Sequence, residues 1–229
     1  MKSTIERSLA PNASPEYRRA RENLYLAEKD LMQQVGKVAA LRAELPQGPV
    51  VPDYEFTGVD GTVRLSQLFR PDREPYLVTY HVMYWADDDE FCPMCSGWVD
   101  GLSAVSPHIT QRINFVITSR EPQERLQEWA RQRGWNRAPV LSDVGTDFAD
   151  AIGARDEDGD PVSTVAVFSK NGGTLRHVYT VHPDEDGNTI HGIDLLNPVW
   201  HVFDLTPAGR GDFNLRNDYV VELSGRQIT

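Results

Sequence analysis

Between residues 76 and 85 the chain reads Tyr-Leu-Val-Thr-Tyr-His-Val-Met-Tyr-Trp, an apolar and aromatic run interrupted only by Thr79 and His81. A strand with one wet face alternates apolar and polar residues. A run like this one is expected of a central strand covered on both faces. An acidic loop follows, Asp87-Asp88-Asp89-Glu90, and then Cys92-Pro93-Met94-Cys95. Beyond it Trp98, Leu102 and Val105 recur at helical spacing up to Pro107. A buried strand that passes through a short loop into a helix commits the chain to an α/β sheet.

The alternation continues downstream. Residues 113–118 (Ile-Asn-Phe-Val-Ile-Thr) read as a strand, and Pro122 opens a helix with Leu126, Trp129 and Ala130 on one face and Gly134 at its end. Residues 139–142 read as a short strand, and residues 147–152 as a short helix ended by Gly153. Two further strand-like runs, 162–168 and 174–181, flank Asn171-Gly172-Gly173, which signals a hairpin. This order predicts a central sheet with flanking helices.

Outside this core the sequence predicts two extensions. Ser14-Pro15-Glu16 marks a helix start, with a capping hydroxyl, a proline at the first helical position and an acid at the positive end of the dipole. Tyr17, Leu24, Leu31, Val38 and Leu45 then recur every seven residues, with Pro46 and Gly48 as the stop. Such a seam docks on its own domain or on a second copy of the chain, so a homodimer is one expected assembly. The expected division is an N-terminal helical extension over 1–48, the α/β domain over 49–205, and a polar, loosely held tail over 206–229.

Charge and composition remove several functions. With 23 Lys and Arg against 34 Asp and Glu, the chain carries a net charge of −11, which argues against nucleic-acid partners. No stretch approaches the roughly 20 apolar residues needed to cross a bilayer, so no membrane partner is expected. The opening Met1-Lys2-Ser3-Thr4-Ile5-Glu6-Arg7 has no apolar run behind its charge and reads as no secretory signal. Two cysteines cannot build a secreted disulfide framework. The expected setting is the reducing cytoplasm, where a close pair serves redox chemistry or metal binding more often than structure.

The spacing of Cys92 and Cys95 places two thiols one turn apart at a strand-to-helix junction. There the first faces the unpaired N–H groups of the helix start, whose field favours thiolate. A thiolate so placed can attack a disulfide, and the second cysteine can resolve the mixed disulfide. Cys92 is the expected nucleophile, solvent-reachable, and Cys95 the resolving thiol, turned inward. Pro93 fixes φ at the first helical position. The acidic loop, Asp88 and Asp89 included, opposes the dipole and is expected to hold the Cys92 pKa near the ordinary value of about 8.5. His81, inside the central strand, reads first as a core histidine; facing the pair it would stabilise the thiolate. Trp85 and Trp98 bracket the pair and read as packing.

Taken together, strand, Cys92-Pro93-Met94-Cys95, helix, strand, helix and hairpin resemble the thioredoxin-like superfamily. Residues 52–56 through Gly61 to 65–69 resemble the N-terminal hairpin of peroxiredoxins, and Pro139-Val140-Leu141-Ser142-Asp143 with residues 148–153 resembles their later strand and helix. With the amphipathic N-terminal helix and the late Phe203-Asp204-Leu205-Thr206-Pro207-Ala208-Gly209-Arg210, most of the chain is similar to an uncharacterised thioredoxin-like family labelled predicted dithiol-disulfide oxidoreductase. The resemblance implies a thioredoxin-like fold and a thiol-disulfide activity without a cofactor. Its partners would be a disulfide-containing protein or small molecule and a reductase or thiol donor. Two departures stand out. Asp89 occupies the position where peroxiredoxins carry a threonine, which puts peroxidase activity in doubt. The thioredoxin cis-proline position falls near Ser163 or Val162, with Pro161 early.

Two other readings compete with this one. A binding or scaffold domain could carry an idle pair on the same fold. A metal-binding module could use the two thiols with some of His81, His108, His177, His182, His191 and His201, but no two of these histidines have the paired spacing of zinc motifs, and no metal is expected.

Overall fold

The computed structural model describes residues 11–86, 88–182, 196–209 and 211–217. The chain divides into two units, Met1–Gln47 and Gly48–Thr229. The opening segment Met1 to Arg7, Asp87 of the acidic loop, His191, Arg210 and residues 218–229 of the expected tail lie outside the described residues.

The first unit is a helix, α1 (Pro15–Ala43). Its start follows from its sequence: the extended residue Ser14 accepts the Tyr17 N–H on Oγ at 3.1 Å, and Pro15 occupies the first turn beside Glu16. Arg42 complements the negative end of the dipole in the last turn. No residue of α1 is buried, and Leu24, Leu31 and Val38 are 52%, 61% and 42% exposed.

The second unit is a seven-stranded sheet with helices on both faces. Its elements are β1 (Glu55–Gly58), β2 (Gly61–Arg64), a 3-10 turn (Leu65–Leu68), β3 (Tyr76–His81), β4 (Tyr84–Trp85), β5 (Glu90–Phe91), α2 (Pro93–Ile109), β6 (Asn114–Ser119), α3 (Gln123–Arg133), β7 (Val140–Ser142), α4 (Phe148–Ala151), β8 (Thr164–Asn171), β9 (Thr174–Val181) and α5 (Pro198–Phe203). The sheet order is β2-β1-β7-β6-β3-β8-β9, and β4 and β5 form a separate small hairpin. Strand β3 lies parallel to β6 and antiparallel to β8, and β8 turns back into β9. The inner order β6-β3-β8-β9, with α2 as the crossover from β3 to β6, is the thioredoxin-like arrangement. Strand β7 and the β1–β2 hairpin extend it on one edge.

The apolar run of β3 does what its composition demands. Val78, Tyr80 and Val82 join a core with Trp98 and Val99 of α2 and Leu126 and Ala130 of α3. On the other face Leu77 joins a core built on Phe56, Leu65, Phe148 and Phe168. One detail differs from expectation. Helix α2 passes through Pro107 to Ile109, because the Ser106 hydroxyl donates to the Ser103 carbonyl at 2.9 Å, the carbonyl that proline leaves without an N–H partner. The outer edge of β9 is covered by residues 48–51, where the His177 N–H donates to the Pro49 carbonyl at 3.0 Å and the Val51 N–H to the Leu175 carbonyl at 3.0 Å. Gly48 makes that approach possible: a Cβ there would fall 1.7 Å from the His177 carbonyl oxygen.

The segment beyond residue 206 is not loosely held throughout. Leu215 packs on Gly97 of α2, where a Cβ would come within 2.3 Å of its Cδ1. Asn217 donates to the Phe91 carbonyl at 2.9 Å and accepts from Arg133 at 2.9 Å. Arg133 is itself anchored by a two-pronged pair with Asp100, at 3.0 and 2.5 Å. A polar stretch reads as loose only until its partners are known. Here they come from elements far away in sequence.

Candidate active site

Cys92 is the N-cap of α2, and its sulfur accepts the Cys95 N–H at 3.2 Å. Pro93 occupies the first turn, where its missing N–H costs nothing. The small β4–β5 hairpin leads into this junction, and the Cys92 N–H donates back to the Met83 carbonyl at 3.1 Å. Phe91 stacks on Trp129 of α3 with ring centroids 5.1 Å apart, which fixes the approach to the helix.

Both thiols are free and both are buried, Cys92 at 3% exposure and Cys95 at 0%. The expectation of a solvent-reachable Cys92 is therefore corrected: both cysteines are buried members of the apolar core on the α2 face.

The electrostatics of the pair also depart from expectation. Cys92 is raised well above the ordinary thiol range, first by the hydrogen bond it shares with Cys95, then by burial and by the charge of its neighbour. At Cys95 burial opposes ionisation. Hydrogen bonds from Cys92, from the Ser163 hydroxyl, from the Met83 N–H and from the Tyr80 hydroxyl outweigh that penalty and bring it down to about 7. Within the pair Cys95 is the thiol that ionises first, favoured by the donors converging on it. Tyr80 stays a donor, since burial raises its own pKa well above the ordinary value, and it meets Ser163 Oγ at 3.0 Å.

Among the described residues of the acidic loop, none acts on Cys92. Asp89, at a positive φ of 55°, accepts the Tyr84 hydroxyl at 2.6 Å and is paired with Arg125. Its charge is spent locally. The expected upward push from Asp88 and Asp89 is replaced by burial and by the second thiol.

His81 is buried, and the strand alternation turns it to the face opposite Tyr80, away from the cysteines. Its Nε2 lies 3.3 Å from Asp143 Oδ2. Trp85 is half-buried against the core that holds the pair, and Trp98 lies inside that core, so both are packing. Asp88 is exposed. Ser163 stands against Cys95, where counting along the sequence placed the residue facing the pair. Sequence reasoning missed Tyr80, the Met83 N–H and Arg125. Period-two alternation from Val78 could have found Tyr80. The other two depend on how the β4–β5 hairpin folds back. Among the described residues no group of three or more His, Cys, Asp or Glu is placed to hold a metal.

The family model described as "Bacterial protein of unknown function (DUF899)" matches residues 8–223. The chain belongs to this family. Among curated proteins there is no significant match. Solved structures similar to this DUF899 chain include the peroxidoxin BcpB from Mycobacterium tuberculosis, at 19% identity and TM-score 0.46, covering 61% of this chain and 86% of that one. A peroxiredoxin Q from Xanthomonas campestris is similar at 15% identity and TM-score 0.48, covering 69% and 99%. The exposed lipoprotein thioredoxin Etrx1 from Streptococcus pneumoniae is similar at 19% identity and TM-score 0.42, covering 56% and 87%. No described helix is long and apolar enough to cross a membrane.

Proposed function

We propose that this DUF899 chain is a thiol-disulfide oxidoreductase working through Cys92 and Cys95. The observation that carries the reading is geometric: two thiols stand one turn apart at the start of α2, the Cys92 sulfur takes the Cys95 N–H at 3.2 Å, and the Tyr80 and Ser163 hydroxyls lie beside Cys95. Structural cysteines in apolar surroundings lack such donors and stay inert.

Cys95 takes the Cys92 proton along their hydrogen bond, and the Cys92 thiolate attacks one sulfur of a substrate disulfide. A new S–S bond forms to Cys92 as the substrate S–S bond breaks, and the leaving sulfur departs as thiolate and takes a proton from water. Cys95 then gives up its proton, attacks Cys92 and releases the second substrate thiol. Two electrons have passed to the substrate, and the Cys92–Cys95 disulfide is returned to dithiol by a reductase or small thiol donor. That donor places the working protein in a reducing compartment such as the cytoplasm. Cys92 is the attacking thiol because it is the outer of the two.

Trapping tests the roles. With a disulfide substrate, Cys95→Ser accumulates a mixed disulfide through Cys92 and Cys92→Ser accumulates none. Equal trapping by both variants overturns the assignment. No trapping by either, together with no disulfide between the pair on mild oxidation, leaves an idle pair on a binding domain.

A homodimer through α1 accompanies this reading, supported by the exposed seven-residue repeat of Leu24, Leu31 and Val38. Leu31→Ala is expected to lower the apparent mass in sedimentation at a fixed concentration. An unchanged mass for both chains at all concentrations removes the dimer.

A further inference from the structure

The chain returns to the cysteine junction from its far end. Over residues 214–217 exposure alternates: Leu215 and Asn217 are half-buried, whereas Asn214 and Arg216 are exposed. Period two is the pattern of an extended segment with one face on the protein. Phe213, Leu215 and Asn217 each have a seat. Phe213 meets Phe203 of α5 edge to face, with ring centroids 5.5 Å apart. Leu215 rests on Gly97 of α2, which has no Cβ to hold it off. The Asn217 amide donates to the Phe91 carbonyl at 2.9 Å and accepts from Arg133 at 2.9 Å.

The last two seats stand on either side of Cys92 in the chain. The Phe91 carbonyl belongs to the peptide bond that joins Phe91 to Cys92. Gly97 stands four residues beyond Pro93, on the same helix face. Pro93, Gly97, Leu215 and Arg216 line one small hollow of about 170 Å³. Pro93 and Gly97 are half-buried, whereas Cys95, Ser96, Trp98 and Val99 are buried, so the segment lies along the outer side of the helix start that Cys92 caps.

The hold on this segment is slight. None of residues 211–217 is fully buried, and its anchors are one ring, one leucine and one amide. If it leaves, Arg133 keeps its two-pronged pair with Asp100, and the Phe91 carbonyl passes to water. A segment held this way opens at a lower free energy than the sheet beneath it.

We propose that residues 211–217 are an autoinhibitory strap, which keeps Cys92 closed when seated and admits a disulfide substrate when released. The inference rests on the reading of Cys92 as the attacking thiol and adds the step that controls access to it. The strap governs access and leaves acidity to the pair: none of the groups that set the ionisation of either thiol belongs to residues 211–217.

Two variants release the strap by different routes. Gly97→Ala sets a methyl group against Leu215 Cδ1, and alanine is the better helix former, so α2 itself is not weakened. Asn217→Ala removes the tether to Phe91. Iodoacetamide labelling of the reduced full chain, stopped at low conversion, with the labelled cysteine identified by peptide mass, reads access. Cys92 should be labelled about tenfold faster in each variant than in the parent chain, with Cys95 labelled no faster. Unchanged Cys92 labelling in both variants overturns the strap. Equal acceleration at both cysteines overturns it too, because general loosening of the core then explains the result. The trapping experiment is a separate readout. Faster labelling with no trapped mixed disulfide keeps the strap and removes the oxidoreductase reading, and trapping with unchanged labelling does the reverse.

Discussion

Phe148→Ala should cost about 3–5 kcal/mol, the range for deleting a large aromatic from a closed core. Phe148 is fully buried and is the hub of its core, with ring contacts to Tyr54, Phe56 and Phe168 at 5.3, 4.8 and 5.8 Å. It sits on α4, a single turn with little helical stability of its own, so this packing is what holds the turn against the sheet. Removing the ring leaves three aromatic neighbours that cannot collapse into the space. Against a total of about 5–15 kcal/mol for a typical domain, the loss is a large share of the stability. Urea unfolding measures it, and Val105→Ala on the exposed side of α2 is the control, expected to change stability by about 0.5 kcal/mol or less. Equal losses for the two would show that the core is not centred on Phe148.

Tyr80→Phe combined with Ser163→Ala should raise the first ionisation of the cysteine pair from about 7 toward the ordinary thiol value and slow alkylation at pH 7 about tenfold. The two hydroxyls, hydrogen-bonded to each other at 3.0 Å, both bring Cys95 down, and each unit of pKa removes nearly tenfold of the thiolate once pH lies below the midpoint. The sign in stability follows from linkage. Cys95 is depressed in the folded protein, so its contribution is present above the unfolded thiol value and is lost as pH falls through about 7. Cys92 is raised, so its contribution is present below the unfolded thiol value and is lost as pH climbs past it. The reduced protein should therefore gain stability from about pH 7 to about pH 9 and lose it above, and the double variant should lose the lower part of that gain. Thiolate ultraviolet absorbance against pH reads the midpoint. A midpoint that does not move would mean that the hydroxyls do not hold the charge.

The fold was legible where local pattern and environment agree. The run at 76–85 implied one strand covered on both faces; the two faces carry separate cores, but the strand ends at His81 and Tyr84–Trp85 turn into the small β4–β5 hairpin. Ser14-Pro15 and Cys92-Pro93 marked helix starts, and both helices begin there, because capping involves only residues within one turn. The site was less legible. The acidic loop reads as a source of charge on Cys92, whereas Arg125, on a different helix, absorbs the charge of Asp89. His81 stands one residue from Tyr80, yet the pleat of the strand turns them to opposite faces.

By itself, then, the sequence determined the order of strands and helices, the position of the thiol pair on the first turn of α2 and the repeat along α1. These rest on interactions within a few residues and on the periodicity of side chains along one element. Only the tertiary structure decided that both sulfurs are buried, that donors from β3 and from the approach to β8 gather on Cys95, and that His81 meets Asp143 on the other face of the sheet. Those outcomes depend on strand order and register, which bring together residues 62 and 83 positions apart. In the low dielectric of a closed core, such neighbours set the free energy of a buried charge or lone pair, and no local pattern encodes them.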